Sequence, residues 1–209
     1  MITFARNGRV AAAVLLGILA LGSARPAAAQ GVGGRFDVGV HVAVARSGEF
    51  DASDAGIGGR LGWHPAASIG IEGELTTYPG TFTRSRPFSS SRVEGLFGVT
   101  FGPRLGALRP FARVRTGFLA FRDAPAPLPC ILIYPPPLAC SLATGQTLPA
   151  MDVGGGVEIL TTRRMFARVD AGDRLVKYPG PTLSASRKVS TDGFFGHDFR
   201  IAAGAGLQF

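Results

Sequence analysis

The last twelve residues of the chain, 198–209, admit only one kind of regular backbone. Phe199, Ile201, Ala203, Ala205, Leu207 and Phe209 alternate with Arg200, Ala202, Gly204, Gly206 and Gln208. A strand turns successive side chains to opposite faces, so this order gathers every large apolar group on one side. A helix would scatter them around its circumference. The same two-residue period recurs in seven earlier segments: 35–46, 56–64, 68–78, 92–102, 110–121, 150–160 and 164–175. In the first of them Phe36, Val38, Val40, Val42 and Val44 oppose Asp37, Gly39, His41 and Ala43. The chain is therefore expected to be all-β, with eight antiparallel strands.

The polar faces carry six acids and six bases. The acids are Glu72, Glu74, Glu94, Asp152, Glu158 and Asp170; the bases are Arg60, Arg113, Arg115, Arg168, Arg174 and Arg200. In a soluble sandwich these charges would face water and the apolar faces would meet as a core. In a closed barrel set in lipid the apolar faces point outward, and the charges fill a narrow lumen. The equal numbers then matter, because an unpaired charge out of water is costly. Inside such a lumen Arg113, Arg115, Arg168 and Arg200 are expected to pair with Glu72, Glu74, Glu94, Asp152 and Glu158. Glycine in the inward register, as at Gly154, Gly156, Gly204 and Gly206, leaves room for those long side chains.

Connection lengths favour the barrel. Stretches 65–67, 103–109 and 161–163 are short; 47–55, 79–91, 122–149 and 176–197 are longer. Short turns at one end and long loops at the other suit a transmembrane barrel, with both chain ends at the turn end. A sandwich has no reason to segregate its connections.

The beginning of the chain reads as a secretory signal over residues 1–29. Arg6 and Arg9 precede an apolar run at 10–21, and Ala27, Ala28 and Ala29 precede Gln30. The run holds about a dozen residues, short of the ~20 a membrane helix needs. Residues 30–209 then form one domain by length. The formal charge of +8 would by itself suggest nucleic acid. Export, and the spread of arginine over the strands, point instead to anionic lipid headgroups. Cys130 and Cys140 are expected to form one disulfide in an oxidising compartment, and without a nearby His they make no zinc site. The proline-rich loop 122–149 that contains them reads as a stiff cap over the barrel mouth.

The eight alternating segments, the segregated connections and the terminal Phe209 together resemble the small outer-membrane β-barrel family, of the OmpA transmembrane-domain and OmpX type. The resemblance covers 35–209 and rests on pattern and topology. It implies an eight-stranded antiparallel up-and-down transmembrane β-barrel located in the outer membrane. Its partners would be outer-membrane lipid and lipopolysaccharide. The closing strand and Phe209 would be read by the outer-membrane barrel assembly machinery. A monomer with no nucleic acid, metal or cofactor is expected. The implied function is structural or interactive rather than that of an open pore, since eight strands leave little lumen.

Two other readings were weighed: a lipid-modifying outer-membrane enzyme, and a soluble exported barrel that binds a small apolar ligand. Some small barrels act on lipid A with Ser, His and acidic residues. Here His197 stands beside Asp198, with Ser184, Ser186 and Ser190 upstream. The His-x-Ser arrangement of lipid A deacylases does not occur, so catalysis is not expected.

Overall fold

The computed structural model describes residues 36–49, 52–79, 91–122, 138, 142, 145–180, 182–183, 189–190 and 192–209. The expected signal segment 1–29, the expected Cys130–Cys140 disulfide, Ser184 and Ser186 lie outside the described residues. The strands are β1 (Phe36–Ser47), β2 (Ala52–Ala66), β3 (Ile69–Tyr78), β4 (Arg92–Phe101), β5 (Leu108–Phe121), β6 (Thr147–Leu160), β7 (Met165–Tyr178), β8 (Thr182–Leu183), β9 (Val189–Ser190) and β10 (Phe194–Gln208). Eight of them close into one antiparallel barrel in the order β1-β10-β7-β6-β5-β4-β3-β2. The two-residue strands β8 and β9 form a separate hairpin in the connection from β7 to β10.

The register fixes the size of the barrel. Arg46 faces Phe199 on β10, which faces Asp173 on β7; the row continues through Val153, Val114, Val99, Ile71 and Trp63 to Phe36. One circuit therefore returns to β1 ten residues from its start. With eight strands, that stagger and ordinary strand spacings tilt the strands by about 40° and set a backbone radius of about 8 Å. Side chains reaching in from opposite walls meet across such a lumen. The last residue helps to close it: the Phe209 amide donates to the Phe36 carbonyl at 2.8 Å.

Several strands run further toward the loops than alternation suggested. β2 starts at Ala52, β6 at Thr147 and β10 at Phe194, while β7 continues to Tyr178. The first loop-end connection is consequently only the four residues 48–51, and not the longer stretch expected at 47–55. At the rims of β2 and β6 the outward positions are polar, as at Ser53 and Thr147. The backbone ladder persists there after the contrast between faces has gone.

Burial alternates at every residue of β1, and the usual sorting is reversed. Arg113, Arg174 and Arg200 are fully buried, whereas Val40, Leu61 and Phe97 on the outer face are more than half exposed. The apolar faces do not meet as a core. The apolar cluster at the loop end is formed by Leu119, Phe121, Leu148, Ala150, Val176 and Tyr178, with Leu142 of the 122–146 connection packed among them.

Inward glycine makes the crowding possible. Gly98 lies in register with both Glu72 and Arg115. A Cβ there would come within 2.5 Å of the Arg115 Cα and collide with the Val114 carbonyl. Gly73 faces outward, and a Cβ there would meet only Phe97 Cδ2, at 3.9 Å. Gly98→Ala is expected to destabilise the barrel by about 1–3 kcal/mol, and Gly73→Ala to stay within about 0.5 kcal/mol of the parent. Urea unfolding of the refolded barrel checks the contrast; equal effects would contradict the packing described.

Candidate functional site in the lumen

The distinctive chemistry of the described residues is a continuous arginine–carboxylate network inside the barrel. It holds eight arginines and nine carboxylates, a near balance that leaves the interior close to neutral. No lysine takes part. Arginine suits such a place because its planar fork donates in several directions while holding one charge.

At the centre, Arg115 gathers three carboxylates from two walls. Its Nη1 donates to Glu74 Oε2 at 2.8 Å and to Glu72 Oε1 at 3.3 Å, and its Nη2 to Asp152 Oδ2 at 2.8 Å. Arg113 donates through Nε to Asp152 Oδ2 at 2.8 Å and pairs with Asp170. Arg168 grips Glu72 with both terminal nitrogens, at 2.8 and 3.1 Å, and reaches Asp170 through Nε at 2.9 Å. Its guanidinium lies 4.0 Å from the centroid of the Phe111 ring. Arg200 pairs with Glu74 and lies 3.3 Å from Glu94.

The network continues toward both ends. On the loop side Arg174 joins Glu94 to Asp198, donating to Asp198 Oδ2 at 2.6 Å, and Arg92 pairs with Asp54. On the turn side Arg60 reaches Asp37 at 3.4 Å and Glu158 at 3.7 Å, while Arg109 donates to Glu158 at 3.2 Å and touches His64. His64 Nδ1 stands 3.3 Å from Asp37. His41 meets the Thr76 hydroxyl at 2.9 Å.

All twelve residues singled out from the sequence face inward and are linked in this network. Sequence reasoning passed over Asp37, Asp54, Arg92, Arg109 and Asp198. They sit at or near strand ends, where the assignment of ends was least secure. Their signal was parity: Asp54 and Arg109 occupy inward positions once β2 and β5 are extended to their observed starts.

The space left over is small. A pocket among His41, Arg60, Glu74 and Arg168 has a volume of about 10 Å³, room for at most one water. A small apolar ligand in this lumen would displace paired charges, so the arrangement does not fit the soluble-carrier reading. Among the described residues no group of three or more His, Cys, Asp or Glu is placed to hold a metal ion. His197 is not in the lumen. It faces outward near the loop end, with Nδ1 at 2.7 Å from Asp173 Oδ2.

No protein-family model matches the chain, and no curated protein matches it. Solved structures do. Neisserial surface protein A is similar over 86% of this chain and 100% of its own, with a TM-score of 0.54 at 15% identity. The outer membrane protein OprG from Pseudomonas aeruginosa is similar over 85% of this chain and 96% of its own, with a TM-score of 0.50 at 12% identity. What the chain shares with them is the fold, a closed antiparallel β-barrel of the kind found in small outer-membrane proteins.

Arg115, like Arg168, contacts three carboxylates, and its loss would leave Glu72, Glu74 and Asp152 under-compensated out of water. Arg115→Ala is expected to destabilise the barrel by about 3–5 kcal/mol, measured by urea unfolding in lipid vesicles. Arg115→Lys should recover only part of this, since an ammonium cannot reproduce the fork. Full recovery by Lys would show that charge alone is needed.

Proposed function

We propose that this chain is a structural or interaction protein of the outer membrane, a closed barrel that presents loops at the cell surface and conducts no solute. The observation that carries the reading is the inverted sorting: an apolar exterior around a lumen filled by paired charges. A contiguous apolar exterior of this extent is incompatible with a monomer in water. In lipid it is the expected surface, and closure satisfies the backbone groups that lipid cannot. Lipid and lipopolysaccharide are then the immediate surroundings, and a monomer suffices because no strand edge is left open.

The absence of conduction follows from the filling. Arg168 on β7 bridges the lumen to Glu72 on the opposite strand β3, and Leu142 packs into the apolar cluster at the loop end. The enzyme alternative has one observation in its favour, the His197–Asp173 contact. That pair faces away from the lumen. Of the serines weighed as its nucleophile, Ser184 and Ser186 lie outside the described residues, and only the backbone of Ser190 is described.

Three outcomes test the reading. The chain in an outer-membrane fraction should migrate fast on a gel when unboiled and more slowly after boiling; an unshifted band in the soluble fraction would overturn the membrane assignment. Leu61→Arg, on the outward face of β2, should destabilise the barrel in lipid vesicles by about 2–4 kcal/mol. In a planar bilayer the barrel should show no sustained conductance, and steady open channels would refute the closed lumen.

Phe209, the terminal residue, is assigned to recognition by the barrel assembly machinery. Phe209→Ala should slow assembly in cells while leaving refolding of the purified chain nearly unchanged. If both were slowed equally, Phe209 would instead be a stability residue.

A further inference from the structure

The outward wall over β2 to β5 is not smooth. One row of the ladder runs Leu61, Gly73, Phe97 across β2, β3 and β4. The next row toward the loops runs Leu75, Gly95, Phe118 across β3, β4 and β5. In both rows a glycine stands between two large apolar side chains. The depression they enclose is open, almost wholly apolar in its lining, and about 720 Å³ in volume. Its ridges stand clear of the sheet, since Leu61, Leu75 and Phe97 are more than half exposed. Its floor at Gly73 is bare: a Cβ there would meet nothing nearer than Phe97 Cδ2, at 3.9 Å. At Gly95 the floor is the Phe118 ring itself, which leans over the glycine so that a Cβ would come within 2.6 Å of Cε1.

The stagger of the barrel gives this furrow its direction. From Gly73 to Gly95 is one step to the next strand and two residues toward the loops. With the strands tilted by about 40°, the sideways parts of the two moves nearly cancel and the upward parts add, so Gly95 stands about 8 Å above Gly73 along the barrel axis. The same step leads from Leu61 to Leu75 and from Phe97 to Phe118. The leucines and the phenylalanines are thus two walls parallel to the axis, with the glycines between them. The walls stand two strands apart, about 10 Å, which leaves the width of a single hydrocarbon chain once their own thickness is taken off. One step further toward the loops is Ala120, and one step toward the turns is Trp63. The furrow is therefore open at the loop side and stopped at the other end by an indole.

We propose that this furrow is a binding site for one straight acyl chain of a bilayer lipid, which enters from the loop-side leaflet and ends against Gly73 and Trp63. The proposal rests on the membrane reading given above. In a bilayer the barrel axis is the direction in which lipid chains lie, and the furrow runs along it. Width and closure narrow the occupant further. A straight chain touches both walls and the floor along its length, whereas a methyl branch is held off by the ridges. The convex wall of a second barrel would rest on Leu61, Leu75 and Phe97 and leave the floor at Gly73 empty.

Trp63 is the only tryptophan of the chain, and it reports on the furrow directly. In phosphatidylcholine vesicles its fluorescence is quenched by a straight-chain phosphatidylcholine brominated near the chain end, and unbrominated lipids compete with that reporter. Straight-chain phosphatidylcholine should displace the reporter about fivefold more effectively than diphytanoyl phosphatidylcholine, whose chains carry methyl branches. Gly73→Leu fills the floor and Phe97→Ala removes a wall; both should abolish the selectivity. Ala171→Leu, outward on β7 at the opposite side of the barrel, should keep it. A heat-modifiable band for each variant shows that it has folded. Equal displacement by the two lipids in the parent would leave only ordinary lipid contact, and would overturn the site while sparing the membrane reading. So would selectivity that survives both furrow variants. If the reporter reaches Trp63 in Gly73→Leu but not in the parent, a second copy covers the furrow and the proposal falls. If it reaches Trp63 in neither, the membrane reading falls with it.

Discussion

An arginine taken out of water needs a carboxylate beside it, and every inward arginine described in this barrel has at least one. That requirement organises the rest. Most of the carboxylates come from other strands, although Arg168 also reaches Asp170 two residues along its own. Glu72 therefore meets Arg115 and Arg168 from strands β5 and β7, and Asp152 on β6 holds two arginines of β5. Each such pair ties one wall to another through the lumen, in addition to the backbone ladder around it. Removing one partner is more damaging than removing both, because the remaining charge has no water to turn to.

Barrel width and side-chain length are matched by glycine. A radius of about 8 Å leaves too little room for a long side chain at every inward position. Gly58 lies directly under the His41 ring, where an added Cβ would approach within 2.6 Å of Nε2. Gly62 gives way in the same manner to Asp37. The two ends of the lumen differ. The loop end carries an apolar cluster on its β5, β6 and β7 side, while the turn end finishes in His64, Arg109 and Glu158, polar groups of which His64 and Glu158 are partly exposed.

Much of this was legible in the sequence because the period of a strand is two and does not drift. One securely placed residue, such as Phe199, assigns a face to every other residue of its strand. The lumen residues followed from parity alone, without any knowledge of who pairs with whom. What parity cannot supply is the point at which a ladder stops. Asp54 and Arg109 fall within the expected connections because neighbouring rim residues lose the apolar contrast, and the connection 48–51 looks longer in the sequence for the same reason. Nor does parity reveal closure. The closure that puts β7 opposite β3, and so lets Arg168 reach Glu72 across the lumen, is a property of the whole ladder and is written in no single segment.

The pairing of Phe36 with Phe209 has a consequence for how the molecule comes into being. The first barrel strand finds one of its two neighbours only in the last, so the wall stays open until the final residues exist. An open wall exposes a full row of unpaired amides and carbonyls, which lipid does not tolerate. Closure is thereby tied to β10: a product stopped short of it has an unsealed edge along β1. The joint between β1 and β10 serves as a check that every barrel strand is present.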